Sequence, residues 1–164
     1  MILVLDASAL ITLARVGRLE LLHQMAETIH IPAGVYDEVV AGGPGRPGAA
    51  EVAQAQWISR QDVRDQAAVG RLRAQVGRGE AEAIVLAREL RADALILDDA
   101  TARRIAEAEG QNVFGLLGLL IHAKERGMVE VLKPILDEMV QAGFFIDSYL
   151  YHSVLRQAGE GPIS

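Results

Sequence analysis

The chain has 164 residues, 51% of them hydrophobic and 23% charged, a composition that suits one globular domain with a sizeable core. No apolar run approaches the roughly 18 residues of a membrane span, and the lack of cysteine excludes disulfides and thiolate metal sites, as befits a cytoplasmic protein. A net charge of -6 excludes nucleic-acid binding by broad electrostatics, so any such contact must use a local basic patch.

The first element is quoted in "MILVLDASALITLAR": Ile2–Leu5 reads as a strand buried on both faces, and it ends on Asp6. Leu10–Met25 carries helical spacing with a break at Gly17, and Thr28–Ile31 is a second strand closed by Pro32. Val35–Val40 reads as a helix, because Val35/Val39 and Tyr36/Val40 are i, i+4 pairs. The window "AGGPGRPGAA" at 41–50 cannot continue a helix and is expected to be a mobile surface loop. Trp57–Ile58 is a short strand, Asp62–Val76 a charged helix and Glu80–Leu90 a largely buried helix. Ala94–Leu97 is another buried strand, running into Asp98 and Asp99, and Ala100–Glu109 a helix stopped by Gly110. Asn112–Phe114 is the last strand, before helices at about 116–126, 129–142 and 147–158 broken at Gly127 and Gly143.

Strands separated by helices predict an α/β fold: a three-layer α/β/α sandwich with a mostly parallel central sheet, spanning 1–164 as a single domain. Sites in such folds form outside the carboxyl ends of the strands, where Asp6, Asp98 and Asp99 fall. Asp37/Glu38 and Glu80/Glu82 add acids near helix starts. Carboxylates without cysteine, and with the four histidines dispersed, point to oxygen ligation of Mg²⁺ or Mn²⁺. A metal among carboxylates can generate a hydroxide nucleophile and stabilise a leaving oxygen, the chemistry of phosphodiester cleavage. The simpler reading of each acid is local: Glu38 and Glu80 favoured by a helix dipole, Asp6, Asp98 or Asp99 capping a helix. Glu80 and Glu82 point roughly 200° apart on a helix, so only one of them can face a given ion. Adjacent side chains at a strand end alternate in the same way, so one of Asp98 and Asp99 is expected at the site. Spacing alone does not choose within either pair.

"LVLDASALI" resembles the opening motif of PIN domains, an aspartate after the first strand with Ser or Thr two residues on, here Ser8. "IPAGVYDEVV" is similar to the second motif, matching on Glu38, and "GRGEAEAIVLA" to the third, matching on Glu80. "LILDDATARR" is similar to the fourth, matching Asp99 better than Asp98. The arrangement over nearly the whole chain resembles a variant, long-uncharacterised PIN subgroup. Two departures stand out: Leu97 where common members have Thr, and Glu80 where they have Asp.

The resemblance implies a metal-dependent ribonuclease of single-stranded RNA, with Asp6, Glu38, Glu80 and Asp99 as catalytic metal ligands and Asp98 and Glu82 as alternates. Ser8 would support a carboxylate or the attacking water, and Arg103 or Arg104 would contact RNA phosphate. It also implies the toxin of a toxin–antitoxin pair: a homodimer silenced by a small antitoxin protein. Leu116–Ile121 and Val129–Val140 either provide a dimer or antitoxin surface or simply cover the sheet. Two other readings compete, a PIN-like protein that binds a partner without cleaving and an aspartyl-phosphate phosphotransfer protein. The second lacks the expected acid beside Asp6 and a lysine after a later strand.

Overall fold

A computed structural model of the chain describes residues 1–42 and 45–161. Five strands, β1 (Leu3–Leu5), β2 (Ile29–Pro32), β3 (Ile58–Gln61), β4 (Ala94–Ile96) and β5 (Val113–Phe114), form one sheet in the order β3-β2-β1-β4-β5. Every neighbouring pair is parallel, with Leu3 opposite both Ile29 and Ala94. An all-parallel sheet needs helices on both faces, and the uninterrupted aliphatic run of β1 is the sequence form of that requirement.

The helices are α1 (Ala7–Arg15), α2 (Glu20–Met25), α3 (Ala33–Tyr36), α4 (Ala49–Gln54), α5 (Gln66–Leu72), α6 (Arg78–Leu90), α7 (Ala100–Ala108), α8 (Leu116–Glu125), α9 (Lys133–Gln141) and α10 (Ser148–Gln157). Strand alternation divides the interior into two cores. Leu3, Leu5, Ile29, Ile31 and Ile96 face the first, with α1, α2 and residues of α8, α9 and α10. Val4, Leu95 and Leu97 face the second, with α5, α6 and α7. Each fully buried Leu or Ile contributes roughly 2 kcal/mol of transfer free energy. The architecture is therefore the expected three-layer α/β/α sandwich. The apolar positions of α8–α10, among them Leu119, Leu120, Ile135, Leu136, Met139 and Leu155, are spent on the first core.

Several boundaries differ from the sequence reading. α1 begins at Ala7 rather than Leu10, because Asp6 caps it. The break at Gly17 is real: its φ of +68° ends α1 in a conformation that side-chain-bearing residues avoid. The helix expected over Val35–Val40 starts at Ala33, directly after Pro32, and loosens into a π-helical turn at Asp37–Ala41. The strand expected at Trp57–Ile58 is displaced to Ile58–Gln61, and the helix expected over Asp62–Val76 shortens to α5 behind an Asp65 cap. α4 begins inside the window expected to be loop, positions 43 and 44 of which lie outside the described residues. Among the described residues, no helix is long and apolar enough to cross a membrane.

The topology fixes where a crevice opens. β1 hands the chain to β2 on one side, and β4 hands it to β5 on the other. The helix after β1 packs in the first core and the helix after β4 in the second. The chain thus diverges to opposite faces between β1 and β4, the switch point at which parallel sheets bind ligands.

Candidate active site at the carboxyl edge of the sheet

Asp6 lies at that switch point. Its backbone N–H donates to the Ile96 carbonyl at 3.1 Å, tying the end of β1 to β4. Its side chain is only 4% exposed. Oδ1 accepts the Ala9 N–H at 3.0 Å, the cap of α1, and Oδ2 accepts the Asp98 N–H at 2.8 Å. Asp99 caps α7 in the same manner, accepting the Ala102 N–H at 2.8 Å. The capping reading is therefore correct for both aspartates, and it does not compete with a role in the cavity.

That cavity has a volume of about 370 Å³ and is lined by Asp6, Ser8, Glu38, Glu80, Asp98 and Asp99. Ser8 donates to Asp98 Oδ2 at 3.2 Å, so the hydroxyl expected to support a carboxylate supports this one. Glu38 arrives on the π-helical turn, a device that re-aims side chains and recurs at functional sites. A Cβ on Gly79 would stand 3.4 Å from Glu38 Oε2, so the carboxylate points at the first turn of α6. Glu80 folds back over the same helix start: a Cβ on Gly77 would come within 2.7 Å of its Oε2.

The paired acids resolve differently. Glu80 lines the cavity and Glu82 does not, as expected for residues two apart on a helix. Glu82 is buried at 5% exposure, accepting the Gly34 N–H at 3.1 Å and Arg78 Nε at 2.6 Å. Arg78 in turn reaches Asp37 at 3.2 Å. A Cβ at Gly34 would press within 2.9 Å of Glu82 Oε2, so glycine is required for α3 to approach α6 this closely. Glu82, the expected alternate to Glu80, braces α6 against α3, the helix that leads into the turn carrying Glu38. By contrast both Asp98 and Asp99 line the cavity, although only one was expected. The strand ends at Ile96, so the alternation that separates neighbours no longer holds two residues on.

Burial of the Asp6 carboxyl, opposed by its two backbone hydrogen bonds, raises its pKa from 3.8 to about 6, with the charges of Asp98 and Glu80 adding to the rise. Glu38 is also raised, first by desolvation and then by the charge of Glu80. The two arginines of α7 are hydrogen-bonded within the chain. Arg103 donates to the carbonyls of Leu97 at 3.2 Å and Asp98 at 2.6 Å, and Arg104 to Thr101 at 3.2 Å. Leu97, which replaces the common Thr, is fully buried in the second core, so the departure alters packing beneath the site.

The donor set is all oxygen and its carboxylates repel one another, which is the chemistry that favours a hard divalent cation. Among the described residues, no three acidic or histidine side chains stand together as a formed metal cage. The cavity thus has the kind of donor a Mg²⁺ or Mn²⁺ ion takes, without a preassembled coordination shell.

A parallel sheet with carboxylates converging at its switch point is the frame of a nuclease-type fold. The chain belongs to the PIN-domain family: the family model described as DUF3368, a PIN domain, matches residues 2–160. PIN domains are typically metal-dependent ribonucleases. No curated protein and no solved structure matches the chain.

Proposed function

We propose that this PIN domain is a divalent-metal-dependent endoribonuclease of single-stranded RNA. The observation that carries the proposal is the convergence of Asp6, Glu38, Glu80, Asp98 and Asp99, from four separate segments, on one cavity at the switch point. Asp6, Glu38, Glu80 and Asp99 would hold Mg²⁺ or Mn²⁺, with Asp98 beside them. A bound divalent cation supplies Lewis-acid polarisation of the phosphoryl group and acidifies water. The chain's own part is positional. Asp6 is held by two backbone N–H groups, Asp99 by its cap and Asp98 by Ser8, so three carboxylates are fixed before substrate arrives. Glu38, on the turn after α3, and Glu80, on α6, are brought together by the Glu82 strut.

Arg103, with its guanidinium on two carbonyls, acts on this reading by shaping the rim, while the more exposed Arg104 is the phosphate contact. We extend the proposal to the toxin of a toxin–antitoxin pair, cytoplasmic, homodimeric and restrained by a small antitoxin protein. The support for that extension is the resemblance of the chain's motifs to those of such toxins. The test is cleavage of an unstructured RNA with Mn²⁺ or Mg²⁺, in wild type and Asp6→Asn. The amide ligates a cation poorly, so cleavage should be lost, and equal rates in the two proteins would sink the proposal.

A further inference from the structure

The acidic cavity opens into a second concavity of about 440 Å³, with Ser8, Glu38 and Asp98 common to both. Its floor is one face of α1, where Ser8, Ile11, Thr12 and Arg15 follow at helical spacing. Its far wall is the turn after α9, including Phe144 and Phe145. The character of the lining changes along its length, from carboxylates to a cation and aromatic rings. Arg15 is exposed, and its Nη1 stands 3.5 Å from the Ala142 carbonyl, too long to be a strong bond. It pairs with no carboxylate among the described residues.

Phe145 is 85% exposed, in a chain with only three phenylalanines. A lone exposed aromatic proves little. What singles this one out is its place, in one groove with an unpaired guanidinium, leading directly to the acids. A single strand offers unstacked base faces and phosphates in alternation, and an aromatic face with a nearby cation matches both. A duplex hides its base faces and cannot use the ring. The net charge of -6 makes such a local cation necessary for a polyanion to approach the carboxylates at all.

We propose that this groove is the subsite for nucleotides flanking the cleaved bond, with Phe145 stacking a base and Arg15 holding a backbone phosphate. The inference rests on the ribonuclease reading of the adjoining cavity and adds the side chains that select single strands.

The test uses a fluorescein-labelled short oligouridylate, alone and annealed to oligoadenylate. Anisotropy in EDTA gives affinity, and cleavage with Mn²⁺ gives KM and kcat. Phe145→Ala and Arg15→Ala should each raise Kd and KM about tenfold, with kcat close to wild type. Arg15→Ala should also flatten the salt dependence of binding by about 0.7 in log–log slope. Both side chains are exposed, so the variants should fold, and Tyr149→Ala, an exposed aromatic outside the groove, should change nothing. Cleavage with Kd and KM unchanged in both variants would overturn the subsite and leave the nuclease reading intact. The same holds if the variants alter only the oligomeric state, or if duplex binds as tightly as single strand. Single-strand binding that depends on Phe145 and Arg15, without cleavage by wild type, would instead support the groove and remove the nuclease reading. No binding and no cleavage would remove both.

Discussion

In the C-terminal helices, Glu160 meets Lys124 Nζ at 2.6 Å and accepts the Leu132 and Lys133 N–H groups at 2.7 and 3.1 Å, while Asp137 takes Lys133 and Tyr151. At the carboxyl edge of the sheet, Asp6, Glu38, Glu80, Asp98 and Asp99 share a cavity, and the adjacent arginine is turned to backbone carbonyls. The electrostatic outcomes are opposite. Desolvation works against the Glu160 charge, yet its hydrogen bonds and Lys124 bring the pKa below the ordinary value, and the Lys133 hydrogen bond lowers Asp137. Asp6 and Glu38 are raised. Carboxylates at one end hold helices together, and those at the other carry a cost that a ligand can remove. Stability surrendered locally in this way is a common mark of a functional site.

The sharpest way to break this contrast compares two glutamates on α6. Glu80→Gln should lower metal-dependent RNA cleavage by more than about 100-fold, beyond the usual cost of losing a ligand's supporting partner. Its urea midpoint should hardly move. Glu82→Gln should retain more activity, and equal losses in the two variants would erase the division between site and strut. A ranking with Glu82→Gln the worse would move the ligand to Glu82.

The next effect is on pH. Asp6 titrates near 6 in the fold against 3.8 ordinarily, so between these values the folded chain holds its proton more tightly than the unfolded chain. The metal-free protein therefore loses stability as pH rises through this window, by about 3 kcal/mol in all. The penalty is complete above the folded pKa and absent below the unfolded one. Glu160 and Asp137 act in reverse, contributing stability that is lost as pH falls. The measurement is accordingly the difference between wild type and Asp6→Asn in chemical denaturation across the window. A difference that does not change with pH would contradict the buried, raised carboxyl. Mn²⁺ should raise the melting temperature of wild type more at high pH than at low pH, since it binds the ionised carboxylates.

Smaller effects sharpen the structural side. Glu82→Ala leaves the Gly34 N–H without its partner and should cost about 2 kcal/mol, discounted because Arg78 is half exposed. Glu160→Ala removes an acceptor from two backbone N–H groups and Lys124, and should cost about 1 kcal/mol. Lys133→Met breaks an exposed i, i+4 pair and should leave the melting temperature unchanged within error. A melting-temperature loss for Lys133→Met as large as that for Glu160→Ala would mean that exposed pairs matter as much as the part-buried staple.

Much of this molecule could be read from residues alone. Four aliphatics ending on Asp6, and three more ending on Asp98, announce strands covered on both faces with acids at their carboxyl ends. The periodicity is local, and local patterning decides element type and order. The resemblance of "LVLDASALI" and its companions to PIN motifs was legible for the same reason, since each motif is a short strand-to-helix junction.

What stayed hidden depends on neighbours distant in the chain. Helix geometry separates Glu80 from Glu82, but which of them meets the cavity is decided by α3, which packs on α6 and presents the Gly34 N–H, 48 residues away, to the Glu82 carboxylate. Asp98 enters the cavity because β4 ends one residue early, and Asp6 owes its raised pKa to burial that no local pattern encodes, against the lowering effect of a hydrogen bond from 92 residues along the chain. The groove from the acids past Arg15 to Phe145 joins α1 to a turn 130 residues later. Hydrophobic periodicity is a property of a segment and so survives in the sequence. Desolvation, charge proximity and the shape of a cavity are properties of pairs of segments, and they exist only once the sheet has brought those segments together.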